Sequence, residues 1–363
     1  MAEAQRDRTP ESLRAHLDSL GRMFLTKADL PLPDQLLRGL RTLDPLVDGL
    51  TPEVAAGAAA RATGCAIAGV EPSPAAGTFH QVYMARLKGS ETQVVVRLGR
   101  LWREGTDWGM HADAMATRAA AAHGVPCAKT LAVDTSRRES PVDTQVLEQA
   151  PGQCLRELDA DDAAIAPHLA ALARTLRQIH GIQGEGFGFL DIRAGLGEKL
   201  RGIHTSWSHH VLNRVAEHVN VCHAAGLVTV GEGAMIRGIF AGSKDWLDAS
   251  SSQLLHGDCG NHNVFTGDGH GPVLIDWEDA LLGDPAYDLA MWATFHPERR
   301  WAAFFEAYGA DWDHPRFWVH FLRIALAKTV HRLRFGYTDA PGRAPASIRI
   351  QRALAAMREL DRV

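Results

Sequence analysis

The sequence predicts an α+β chain in two lobes: a small β-rich lobe over residues 66–150 and a larger, mainly helical lobe over residues 151–363. An extra helical N-terminal segment, residues 1–65, precedes them. Three observations predict this. Segments rich in β-branched and aromatic residues crowd into the first lobe with turn residues between them. The run "APG" at 150–152 breaks that pattern. Beyond it apolar residues recur mostly at helical spacing, so strands and helices segregate instead of alternating as a parallel βαβ sheet requires.

Taken in order, Thr9-Pro10-Glu11 and Thr51-Pro52-Glu53 each read as an N-cap, a proline at the first helical position and an acid in the first turn. The alanine-rich run after Thr51 stops at Gly64, a glycine just past a helix end. "AIAGVEPSP", "FHQVYMARL" and "TQVVVRL" read as strands, with Lys88-Gly89-Ser90 turning between the last two. A helix over roughly 107–122 ends at "HGVP". "KTLAVDT" and "TQVLEQ" supply two more strands. In the second lobe, "AAIAPHLAALARTLRQIHG" places Leu169, Leu172, Leu176 and Ile179 on one helical face. A helix is predicted from about Ser206 to Gly226. Its region carries His204, His209, His210, His218 and His223, which read as a polar face. "NVFTGD" and "PVLID" flank the turn Gly267–Gly271, and the chain from Pro285 is mostly helical.

The 363 residues suffice for two packed lobes, and 46% hydrophobic with 22% charged residues is ordinary for a water-soluble globular chain. A formal net charge of −5 argues against a nucleic-acid partner, which leaves a basic footprint. The five cysteines (Cys65, Cys127, Cys154, Cys222 and Cys259) are odd in number and form no Cys-x-x-Cys pair, so neither a zinc knuckle nor a disulfide framework is expected. That fits a reducing cytosol. The N-terminus carries acids and arginines where a signal peptide has a basic stretch leading into an apolar run. No apolar stretch reaches membrane-spanning length. The expectation is a cytoplasmic protein with no membrane partner.

Chemistry concentrates in "LLHGDCGNHNVFTGDGHGPVLIDWEDALLGDPAYDLA". Its skeleton is His256-x-Asp258, then Asn263, then Asp276 at the end of the second short strand. Phosphoryl transfer from ATP needs Mg²⁺ across the phosphates and a group that orients the attacking hydroxyl. An Asn carbonyl and an Asp carboxylate are hard oxygen ligands for Mg²⁺. A hairpin returns Asp276 beside Asn263, so both can reach one metal. A loop carboxylate such as Asp258 can accept the hydroxyl proton. His256 is expected to pin the loop.

This stretch resembles the Brenner-type motif of aminoglycoside phosphotransferases and related small-molecule kinases, from about residue 66 to the C-terminal helices. The resemblance implies a protein-kinase-like bilobal fold, ATP and Mg²⁺ as cofactors, and a hydroxyl-bearing small molecule as acceptor. It places Arg97 of "VVVRL" where the family holds the α- and β-phosphates, and Asp113 as its acidic partner, a position where Glu is usual. The alternative is a surface arginine in an edge strand with a solvated Asp. The turn "PAAGTFHQ", with Gly77 and Thr78 at its tip, stands where the family covers the phosphates. The backbone of Glu148 and Ala150 stands where the adenine edge is met, with Leu147 facing the ring. Asp284 and Pro285 start a helix, and Asp288 is placed to brace the catalytic loop.

Two rivals stay open on sequence. One is a metal-dependent hydrolase using His256, Asp258, His262 and Asp276. The other is a kinase fold that binds without turnover. For the acceptor, an antibiotic leads, with metabolites such as choline or amino alcohols as the alternative.

Overall fold

The computed structural model describes residues 48–73, 80–99, 108–158, 161–192, 199–267, 270–335 and 346–360. The first described helix, α1 (Pro52–Thr63), begins where its sequence demands. The Thr51 hydroxyl accepts the Val54 N–H at 3.3 Å, and Gly64, at φ 69°, returns its own amide to Ala60. Five strands follow around one helix: β1 (Ile67–Pro72), β2 (His80–Leu87), β3 (Gln93–Gly99), α2 (Trp108–Ala122), β4 (Thr130–Asp134) and β5 (Thr144–Glu148). They form one antiparallel sheet in the order β1-β2-β3-β5-β4. The small side chains of Ala55, Ala58 and Ala59 let α1 lie close against this sheet, over Tyr83, Ala85, Val94, Val96, Leu98 and Val146. Helix and sheet therefore share one core.

The second lobe comprises β6 (Gln153–Cys154), α3 (Asp162–Ile179), β7 (Phe187–Leu190), β8 (Gly202–His204), α4 (Trp207–Val211), α5 (Val215–Ala224), α6 (Val230–Gly242) and α7 (Lys244–Asp248). Next come β9 (Gln253–Leu255), β10 (Val264–Gly267), β11 (His270–Leu274), β12 (Leu281–Gly283), α8 (Ala286–Phe295), α9 (Trp301–Tyr308), α10 (Pro315–Phe335) and α11 (Ala346–Leu360). Leu169, Leu172, Leu176 and Ile179 are all buried, as their spacing predicts, in a core shared with Trp207, Trp277, Trp292 and Trp301. No described helix is long and apolar enough to cross a membrane.

The predicted single helix over 206–226 is instead two, α4 and α5, broken at Arg214, whose φ is 55°. The break has a visible cause. Buried Arg323 donates to the carbonyls of Val211 (2.9 Å) and Asn213 (2.7 Å), groups that a straight helix would spend on its own N–H ladder. The histidines there do not form a polar face either. His210 and His218 are buried, and His218 meets the Arg323 guanidinium at 2.9 Å.

Candidate active site

The loop after β9 carries His256, Gly257 and Asp258, and one buried carboxylate holds it. Asp288, in the first turn of α8, accepts the His256 N–H at 2.7 Å and the Gly257 N–H at 2.9 Å. The brace expected of Asp288 is thus in place. Gly257 has φ 83°, and a Cβ there would come within 2.1 Å of the Asp279 carbonyl, so only glycine fits. His256 is buried, and burial holds its basicity below the usual histidine range. Its two ring nitrogens meet the Ile275 carbonyl (3.0 Å) and the Asp258 N–H (3.3 Å). A neutral ring with both nitrogens engaged is a pin between the loop and the hairpin.

Asp258 is held but not covered: its side chain is 27% exposed. One oxygen meets His262 Nε2 at 3.2 Å and accepts from Asn263 Nδ2 at 3.1 Å. Burial opposes its charge, but the hydrogen bond to His262 and the electrostatic pull of His262 and Lys328 outweigh it and bring the carboxyl down to about 2. Asn263 Nδ2 also donates to the Asp258 carbonyl at 2.9 Å. With Nδ2 spent twice, Oδ1 is the Asn263 atom suited to a cation. The hairpin of β10 and β11 pairs Val264 with Leu274, and Ile275 N–H donates to the Asn263 carbonyl at 3.0 Å. This register brings Asp276 alongside. Asp276 adopts φ 63°, ψ 57°, a left-handed conformation that Asp tolerates better than most residues, and its side chain is 39% exposed.

These donors suit Mg²⁺. The ion is typically held by one or two protein oxygens plus substrate phosphates, not by an all-protein cage. Among the described residues, no group of three or more His, Cys, Asp or Glu is arranged to hold a metal. His256, which a metal-dependent hydrolase would need as a ligand, has both ring nitrogens committed to hydrogen bonds instead.

Arg97 sits on β3, the central strand of the sheet, and is buried. The reading as a surface arginine on an edge strand fails. Its guanidinium lies 3.5 Å from Asp113 Oδ2, 3.1 Å from Asp276 Oδ1, 3.3 Å from Gln145 Oε1 and 2.8 Å from His80 Nδ1. It also bonds Glu278. Asp113 is fully buried and accepts from Trp277 N–H (2.9 Å), Gln145 Nε2 (2.9 Å) and Thr130 (3.2 Å). Burial lifts its carboxyl to about 6, against the pull of Arg97.

Arg97, Asp113, Glu148, Ala150, Asp258, Asn263 and Asp276 all line one cleft between the lobes, of about 980 Å³. Leu147 lines it too. The Glu148 N–H is spent on the Lys129 carbonyl at 2.9 Å, so a contact from Glu148 to an adenine edge would have to use its carbonyl. Gly77 and Thr78 lie outside the described residues.

Sequence reasoning missed Glu278 and His80, which meet each other at 3.2 Å beside Arg97. Glu278 stands in the quoted motif two residues past Asp276, which was its only signal; His80 had none. It also missed Lys328, which reaches the cleft from α10.

Residues 74–321 match the model of the phosphotransferase enzyme family. The chain belongs to this family. Among family relatives, it is 32% identical over 108 residues to the hygromycin-B 4-O-kinase of Escherichia coli, a match covering 26% of this chain and 31% of that protein. The chain thus spans about a third of the length of this curated relative. A crystal structure of aminoglycoside phosphotransferase APH(4)-Ia superposes with a TM-score of 0.62 at 19% identity, covering 85% of this chain and 99% of that one. A thermostable mutant of that protein, in ternary complex with ADP and hygromycin B, gives 0.60 at 20% identity, covering 84% and 97%. At these identities the likeness establishes the kinase-like α+β fold.

Proposed function

We propose that this protein transfers the γ-phosphate of ATP to a hydroxyl of a small molecule, using Mg²⁺. One observation carries the reading: Asp258, Asn263 and Asp276 converge on the same cleft as the buried Arg97–Asp113 pair. Asp258, ionised across the physiological range, accepts a hydrogen bond from the acceptor hydroxyl and aims its oxygen at the phosphorus. It takes the proton late, as a loose transition state requires. Asn263 Oδ1 and Asp276 would hold the ion, which neutralises charge on the phosphates when bound. Arg97 faces the α- and β-phosphates, and the 148–150 segment takes the adenine edge. The nucleotide complexes of the structural neighbours support this placement.

An antibiotic acceptor, and with it a role in resistance or self-protection, has the hygromycin-B kinase relative as its support. The test is incubation with Mg·ATP and a panel of hydroxyl-bearing antibiotics and metabolites, read by a mass gain of one phosphoryl group. Products that form with the wild type and vanish with Asp258→Asn support the reading. ATP binding with no product over the whole panel would leave a binding protein.

A further inference from the structure

The wall of the cleft that α10 and α11 supply is basic. Lys328, His331 and Arg332 stand at i, i+3 and i+4 on α10, and so share one helical face. Arg349 joins them from α11, and all four line the cleft that holds Asp258. They are the only described residues that these two helices contribute to it, and none is acidic. Arg156, after β6, adds another cation, with Glu157 beside it.

Lys328 is the informative member. Its ammonium lies 3.2 Å from the ring centre of Phe295, another cleft residue. Among the described residues, no carboxylate lies within ion-pair distance of it. Burial draws its proton affinity down to about 7; Asp258 partly restores it, and Arg349 and Arg332 depress it further. A half-buried cation with two guanidiniums for neighbours is costly. An aromatic face offsets little of that cost. Bound anionic oxygens would relieve it, and guanidinium forks suit carboxylate and phosphate alike.

We propose that the acceptor carries an anionic group, a carboxylate or a phosphate ester, held by Lys328, Arg332 and Arg349 while its hydroxyl faces Asp258. This rests on the kinase reading of the cleft. Within that reading it favours acceptors whose hydroxyl lies near a carboxylate or phosphate ester, because these cations attract negative and repel positive groups.

The test uses the full chain saturated with Mg·AMP-PNP, so that the γ-phosphate position is filled before any second anion is added. Its thermal midpoint is followed against inorganic phosphate and, separately, gluconate, with ionic strength held by chloride. Stabilisation by either probe beyond the chloride control is expected, and which probe acts separates phosphate from carboxylate. Lys328→Met should weaken that effect about tenfold, as loss of one charge-assisted contact does, and leave AMP-PNP affinity unchanged. Lys328→Arg should retain it; if Lys328→Met fails to fold, Arg332→Gln supplies the same comparison. The inference falls alone if AMP-PNP binds and neither anion acts. It also falls alone if Lys328→Met weakens AMP-PNP as much as the anion, since the cluster then serves the γ-phosphate. Failure of AMP-PNP itself to bind the wild type would overturn the kinase reading beneath it.

Discussion

Asp288 offers the most direct energetic test of how the catalytic loop is held. It is wholly buried, and its carboxylate accepts two backbone N–H bonds, from His256 at 2.7 Å and Gly257 at 2.9 Å, with His180 Nε2 at 3.2 Å. Asp288→Ala leaves both loop amides buried without an acceptor. A donor stranded in that way costs about 1–3 kcal/mol, so the two together cost roughly 3–5 kcal/mol once partial relaxation is allowed. Asp288→Asn keeps one acceptor oxygen but turns an amide NH₂ toward the other N–H, and should cost roughly half as much. Urea unfolding of both variants beside the wild type measures these losses. Turnover should fall in both, because Asp258 follows Gly257 directly, while Arg97 keeps its contacts to Asp113 and Glu278 and nucleotide affinity stays near wild type. A loss below about 1 kcal/mol for Asp288→Ala would mean that water replaces the carboxylate, and the claim that it sets the loop would be refuted.

Asp258→Asn should lower kcat by about 10²–10⁴ with little change in Mg·ATP affinity, whereas Asp276→Asn should weaken Mg·ATP binding as well; equal losses of nucleotide affinity in the two variants would make Asp258 a metal ligand. A double-mutant cycle on Arg97 and Asp113, read as the ATP KM or as stability, should show coupling of roughly 0.5–3 kcal/mol, and additive effects would break the pair. Lys328 gives a pH signature: the unfolded chain keeps this proton up to about 10.4, while in the fold, among Asp258, Cys259, Arg332 and Arg349, it leaves near 7. Between those values the unfolded state binds more protons, so stability should rise with pH from about 7 to 10, and Lys328→Met should flatten the rise in urea midpoints taken across that range.

Much of this fold was legible because its signals are local. Thr51 and Gly64 mark the ends of α1 through capping geometry alone, and Leu169 to Ile179 declare their buried face by period. Asp258, Asn263 and Asp276 could be grouped because a short hairpin brings them together within nineteen positions of chain, at fixed register. What stayed hidden depends on residues remote in sequence. The break between α4 and α5 is imposed by Arg323, more than a hundred positions away. Lys328, His331 and Arg332 look like any solvated helix face until α10 is packed against the cleft. His80 carries no motif, and its meeting with Glu278 spans the two lobes.

The pairing of a longer cation with a shorter anion, Arg97 with Asp113, has a consequence beyond reach. Asp113 Oδ2 lies 3.5 Å from Arg97 and also accepts the Trp277 N–H at 2.9 Å, one residue past Asp276. Its other oxygen takes Gln145 from β5 and Thr130 from β4. One buried carboxylate therefore ties α2, three strands of the small lobe and the turn that presents Asp276. Arg97 closes the circuit by meeting Asp276 and Glu278 directly. A fork of N–H donors can span these groups at once, which the point charge of a lysine cannot. The position of Asp276 is thus set from both lobes: the hairpin register fixes it from below, and the Asp113–Arg97 pair fixes it from above. Its left-handed backbone, costing about 1–3 kcal/mol where nothing compensates, is held in place by that double constraint.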